Sequence, residues 1–94
     1  MDDALRAIAE PRRRAILRLV ASREMAAGDI ARHFEVTRPA ISQHLAVLRQ
    51  AGLVTERRSG TRRLYRTRAQ GLDEVRAFLD DMWAASLAQE RKEL

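Results

Sequence analysis

Apolar residues recur at helical spacing in five stretches of the chain, and a sixth stretch is β-prone on both sides of a glycine. Leu5 and Ile8 lie three apart behind Asp2 and Asp3, either of which suits an N-cap, so a short helix is predicted over Asp3–Ala9. Pro11 fits the first position of a second helix, predicted to reach Ala21 with Ile16, Leu17, Leu19 and Val20 as its buried stripe. Ala27, Ile30, Ala31 and Phe34 mark a third helix, weakened by Gly28 and by Ala26, which offers no capping oxygen. Thr37 is a good N-cap for a fourth helix over about Arg38–Ala51, in which Ile41, Leu45 and Leu48 recur on one face until Gly52 ends it. Leu72, Val75, Leu79, Met82, Trp83 and Leu87 form the stripe of a last and longest helix, about 72–92, with Asp73 and Glu74 at its start, where the helix dipole favours carboxylates.

Between the fourth and last helices, Leu53–Arg58 and Thr61–Arg66 flank Ser59-Gly60, a two-residue hairpin signal. With Ser59-Gly60 as the loop, Val54 faces Tyr65, Glu56 faces Arg63 and Arg57 faces Arg62. The last pairing sets like charges opposite each other and is destabilising unless a polyanion lies against it. Residues 57–68 hold six arginines, more than a purely structural hairpin would use.

Charge follows the same division. The chain carries 18 basic and 13 acidic residues, a formal +5, but residues 1–68 hold 15 basic and 7 acidic, whereas 69–94 hold 3 and 6. A body of +8 is thus joined to a segment of −3. All but one of the basic residues are arginine, whose planar fork suits phosphates and guanine edges, although a coding bias toward Arg and Ala explains the count equally well. Arg12, Arg13 and Arg14 open the second helix, where its dipole disfavours cations; intramolecular pairing or solvation is the first explanation and a phosphate the second.

Ninety-four residues with 46% hydrophobic content describe one folded domain, 1–94, rather than a two-domain enzyme, a repeat array or a disordered chain. With no cysteine, disulfides, thiolate metal sites and a cysteine nucleophile are excluded. No apolar run suits a signal peptide or a membrane span, so a cytoplasmic protein with no membrane partner is expected. No nucleophile stands at a recognisable spacing from a base, and no glycine-rich loop could cradle a phosphate, so no enzyme and no cofactor are expected.

Helices, a tight turn with a capped second helix over about 27–51, a basic hairpin over about 53–67 and a terminal helix make a winged helix-turn-helix, mainly α with a small β-hairpin. Three segments, Glu10-Pro11-Arg12-Arg13-Arg14-Ala15-Ile16-Leu17, Phe34-Glu35-Val36-Thr37-Arg38-Pro39-Ala40-Ile41-Ser42-Gln43-His44-Leu45 and Ala51-Gly52-Leu53-Val54, resemble the ArsR/SmtB-type bacterial transcriptional repressors. The resemblance spans roughly residues 3–87. It implies a homodimer on double-stranded DNA, with the fourth helices in the major groove, the wings on flanking backbone and the terminal helices at the dimer interface.

On that reading Thr37, Arg38, Ala40, Ser42, Gln43 and His44 make up the recognition-helix site, with Val47 also turned outward. Gln43 is the best base reader, since its amide can pair bidentately with adenine; Arg38 suits guanine or phosphate, and Thr37 and Ser42 suit either phosphates or base edges. Thr37 is equally well explained as a cap alone. Arg57, Arg58, Arg62 and Arg63 form the wing site, and Leu5, Ile8, Leu72, Val75, Leu79, Met82 and Trp83 the dimer face. A C2 dimer would select a pseudo-palindromic operator with half-sites about 34 Å apart. The family resemblance suggests metal sensing, but this chain has neither the cysteines nor a histidine on its terminal helix, so no metal is expected and any effector ligand is unidentified. A winged helix serving as a protein- or RNA-binding module is the other open reading, because six wing arginines indicate a polyanion without distinguishing duplex DNA from RNA.

Overall fold

The computed structural model describes residues 1–93. The helices are α1 (Asp2–Ala9), α2 (Pro11–Leu19), α3 (Ala27–Ala31), α4 (Arg38–Gln50) and α5 (Asp73–Glu93), and a 3-10 turn, Ala69–Leu72, leads into α5. Strands β1 (Met25–Ala26), β2 (Val54–Ser59) and β3 (Arg62–Thr67) form an antiparallel sheet in the order β1-β3-β2. The fold is a winged helix-turn-helix with a three-stranded sheet. No described helix is long and apolar enough to cross a membrane.

One core holds the elements together. It takes Ala4 and Ala7 from α1, Ile16 and Leu17 from α2, Ile30 from α3, Ile41, Leu45 and Leu48 from α4, and Val75 from α5; Val20, Met25, Leu53 and Val54 complete it. No polar or charged residue among those described is buried. Thr67 fastens the sheet to α2: its hydroxyl donates to the Leu17 carbonyl at 2.7 Å and its N–H to the Val20 carbonyl at 3.1 Å.

Helix ends explain several residues. Thr37 Oγ1 accepts from the Ala40 N–H at 3.2 Å, the expected N-cap of α4. At its other end Gly52, with φ 76°, closes a Schellman motif: Leu53 N–H donates to Leu48 O at 2.9 Å and Gly52 N–H to Arg49 O at 3.0 Å, with Leu48 and Leu53 both buried. The arginine run closes α1. Arg13 donates to the carbonyls of Ala7 (2.7 Å) and Arg6 (3.2 Å), and Arg14 to those of Ile8 (2.7 Å) and Ala9 (3.1 Å). These are the four carbonyls α1 cannot satisfy within itself. Cations misplaced for the dipole of α2 are therefore well placed for the negative end of α1.

The structure departs from the sequence reading at five places. Helix α1 begins at Asp2 behind Met1, so neither aspartate caps it. Helix α2 stops at Leu19, two residues before the expected Ala21. Helix α3 stops at Ala31 and tightens into i→i+3 turns, His33 to Ile30 and Phe34 to Ala31, that still bring Phe34 onto the core. Strand β1 was not expected. The hairpin register is shifted by two: Val54 lies opposite Thr67, Glu56 opposite Tyr65 and Arg57 opposite Leu64, and the two-residue loop is Gly60-Thr61. Gly60 has φ 64° while Thr61 does not have positive φ, the combination of a type II′ turn, which demands glycine at its first central position; the expected loop put Ser59 there. A slip of two preserves the faces of both strands, so Glu56 and Arg63 still meet.

Gly71 sets the approach of the last segment to the body. A Cβ built on it would lie 2.1 Å from the Gly52 carbonyl oxygen, a backbone atom that cannot swing aside. Gly71→Ala is therefore expected to lower the unfolding free energy by about 1 to 3 kcal/mol or more, read as a lower urea midpoint at unchanged slope. An unchanged midpoint would mean that the two backbones are not in close contact.

Candidate nucleic-acid interface

Helix α4 is held by one face, and that decides where its other side chains stand. With Ile41, Leu45 and Leu48 at 0–1% exposure, Gln43 lies opposite the core, exposed, with Val47 and Gln50 beside it. Arg38, Ser42, Ala46 and Arg49 line the flank toward the wing, where with Glu56, Thr61, Arg63 and Tyr65 they bound an open groove of about 490 Å³. Ala40 is half-buried. Of the residues expected to read DNA, Arg38, Ser42 and Arg63 thus converge on one groove, and Gln43 projects beyond it.

His44 turns the other way. It is half-buried toward α2, its Nδ1 3.4 Å from Arg13 Nη1 and 3.9 Å from Glu10 Oε2. Partial desolvation raises the Glu10 carboxyl, but hydrogen bonds from the Arg12 and Arg13 backbone N–H groups, with the charges of His44 and Arg13, outweigh it and hold the pKa below the ordinary 4.5. Glu10 is the N-cap of α2, accepting from the Arg13 N–H at 2.8 Å. The guanidinium of Arg12 stacks 5.2 Å from the Phe34 ring centroid.

The wing arginines divide by partner. Arg57 grips Glu24 bidentately, through Nε at 3.0 Å and Nη2 at 2.7 Å. That hydrogen bond keeps the Glu24 carboxyl below its ordinary pKa against a smaller opposing desolvation, and raises that of Arg57. Arg62 pairs with Asp29, which also takes Arg32 at 3.4 Å. Glu56, only 14% exposed, joins Arg49 of α4 at 3.0 Å to Arg63 of β3 at 3.5 Å. Arg58 is exposed and, among the described residues, has no carboxylate within 4.0 Å. Contrary to the expectation from the sequence, Arg57 and Arg62 are not directly opposite each other, and each has an acid of its own; the register sets Arg58 opposite Arg63 instead, with Arg63 paired to Glu56. Glu24, Asp29 and Arg49 went unnoticed in the sequence; the acids lie about thirty residues before the arginines they hold, and no local pattern links them.

The apolar residues assigned to a dimer face do not all stand free. Val75 is 4% exposed and belongs to the core, a correction that follows from α5 entering the body by its first turn; Leu72 and Ile8 are half-buried against the same core. Leu5, Leu79, Met82 and Trp83 are exposed, Trp83 at 71%, and Phe78 joins them. No group of three or more possible metal ligands occurs among the described residues.

Residues 10–56 match the family described as bacterial regulatory protein, arsR family. The chain is 45% identical over 86 residues to the HTH-type transcriptional regulator Rv2034 of Mycobacterium tuberculosis, covering 92% of this chain and 80% of that protein. A crystal structure described as a possible transcriptional regulator for arsenical resistance has TM-score 0.80 and 43% identity, with 98% of this chain and 96% of the other covered. At TM-score 0.71 and 31% identity, over 88% of this chain and 77% of the other, it is also similar to Mb0332 of Mycobacterium bovis, described as a homodimeric winged helix-turn-helix DNA-binding domain. On the fold, the match from α2 through the helix-turn-helix to the start of β2, and the extent of these likenesses, the chain belongs to the arsR family of bacterial regulatory proteins.

Proposed function

We propose that the protein is a dimeric, metal-independent transcriptional repressor that binds a pseudo-palindromic site on duplex DNA. The observation that carries this reading is α4 itself: a helix capped by Thr37, anchored by one apolar face and flanked by a cationic hairpin, with Gln43 as its outermost polar side chain. Gln43 reads a base in the major groove, Arg38 and Ser42 contact phosphate or base edges, and Arg58 meets flanking backbone. Arg57, Arg62 and His44 hold intramolecular partners and serve the interface from behind. Repression follows from occupancy, because a protein seated across a promoter excludes polymerase.

Dimerisation is supported by the apolar side chains that α5 leaves in water and by the likeness to a protein described as homodimeric. Two-fold symmetry in the protein selects two-fold symmetry in its site. Metal independence rests on donor chemistry, since the chain has no thiolate and its two histidines lie on different segments, His33 just past α3 and His44 on α4 beside Arg13 and Glu10.

Selection of bound sites from random duplex DNA tests the reading directly: a palindrome is expected, and recovery of no enriched sequence would overturn it. Transcription from a promoter carrying the selected site is expected to fall when protein is added; a rise would make the protein an activator. On the selected site Gln43→Ala is expected to cost about 1 to 3 kcal/mol with little effect on unrelated duplex. Arg58→Ala is expected to weaken both alike and to reduce the salt slope by about one. Equal losses on both duplexes for Gln43→Ala would remove it as the base reader.

Trp83→Glu is expected to convert a dimer to a monomer by sedimentation at micromolar concentration. A dimer that survives the change would place the interface elsewhere.

A further inference from the structure

Three carboxylates stand in the part of the molecule that is otherwise most cationic. Glu24 precedes β1, Asp29 lies on α3 and Glu56 on β2, and each accepts an arginine from across the junction between the helix-turn-helix and the wing. A carboxylate beside a polyanion repels it, so simple charge matching would leave these positions neutral.

We propose that Glu24, Asp29 and Glu56 are positioning residues for DNA recognition, holding the wing at a set distance and angle from α4. The proposal rests on the DNA-binding reading above. Past the half-buried Leu64 and Tyr65, the wing has no apolar anchor: residues 57–63 are all exposed. Only two residue pairs, Met25 with Tyr65 and Ala26 with Leu64, connect β3 to the body through the sheet, and both lie at the base of the wing.

The ion pairs act farther out. Arg57 reaches over the sheet to Glu24 with two parallel N–H bonds, which restrain direction as well as distance. Arg62, next to the turn, reaches Asp29 on α3. Glu56 closes the groove floor by taking Arg49 from α4 and Arg63 from β3 at once. Pairs from three directions restrain the wing where packing cannot, and they consume Arg57 and Arg62 while leaving Arg58 presented. Surface pairs of this kind add little to stability singly, so the fold does not depend on them, but the geometry of two DNA contacts on separate elements does.

The test uses Glu24→Gln, Asp29→Asn and Glu56→Gln in the full chain, with affinities measured on the selected site and on an unrelated duplex of equal length. Each variant removes one negative charge. If the acids only repel DNA, both duplexes bind tighter by the same factor, and that result overturns the proposal. If they position the wing, unrelated duplex binds as well or better while preference for the selected site falls about three- to tenfold per variant. The exchange Glu24→Arg with Arg57→Glu leaves net charge unchanged and is expected to restore preference to within about twofold, a rescue that net charge alone would not give. Glu24, at the surface, keeps the test decisive should Glu56→Gln fail to fold. A wild-type chain that prefers no sequence overturns the functional reading and this proposal together, whereas a preference kept intact in all three variants overturns this proposal alone.

Discussion

Ile41, Leu45 and Leu48 set the direction of everything this molecule presents. All three are buried within the shared core, and an α-helix advances by a fixed rotation per residue, so fixing that stripe fixes the rest of α4. Gln43 must then face away from the domain, Arg38, Ser42 and Arg49 toward the wing, and His44 toward α2. Burying one such side chain contributes about 1.5 to 3 kcal/mol, and three together approach the whole stability of a small domain. The exposed face of α4 is therefore as firmly placed as the core behind it, and a change that loosened the stripe would disturb groove and fold together.

The arginines are the second organising feature, and charge alone does not tell them apart. What lies within reach of each guanidinium does. Arg13 and Arg14 find the four free carbonyls at the end of α1, Arg12 finds the Phe34 ring, and Arg57 and Arg62 find carboxylates. Arg58 finds none of these. A stretch that reads as a uniform cationic surface is thus a mixture of caps, struts and a few cations left to meet a ligand. Arg13 belongs to two systems at once, since the same guanidinium that closes α1 approaches His44 on α4. Helix α1, which carries Leu5 of the proposed dimer face, and α4, which carries the proposed DNA face, are joined through one side chain.

Much of this fold was legible in the sequence because it rests on short-range patterns. The stripe and cap of α4, the glycine that ends it and the acidic start of α5 are each decided within a turn or two of helix, and they stand where periodicity put them. The hairpin was legible in kind but not in register. Ser59-Gly60 and Gly60-Thr61 are both two-residue loops, and only the demand of a type II′ turn for glycine at the leading position separates them. Strand β1, two residues long, is shorter than any alternation that could announce it. The pairs of Glu24 with Arg57 and of Asp29 with Arg62 were not legible at all, because these residues meet only after α4 has folded between them and β2 has formed. Val75 was misplaced for a related reason: one apolar stripe runs the length of α5, and nothing local marks where the body stops covering it.

That stripe shows how the charge division and the shape belong together. A chain of 94 residues packed as a ball would have a radius of gyration of about 12 Å, whereas this one measures 16.4 Å and extends 59 Å along its longest axis. The excess is α5, which gives Val75 to the core and then carries Phe78, Leu79, Met82 and Trp83 out into water. An isolated helix with such a face is marginal in water, so its length makes sense only if a second surface covers it. The residues from 69 onward carry a net −3 and the rest a net +8, so a polyanion is drawn to the body and pushed from the projecting helix. Attraction of DNA to one end and burial of α5 against a second copy at the other do not compete for the same surface. The two proposed interfaces can therefore be filled at the same time, as a dimer bound to its operator requires.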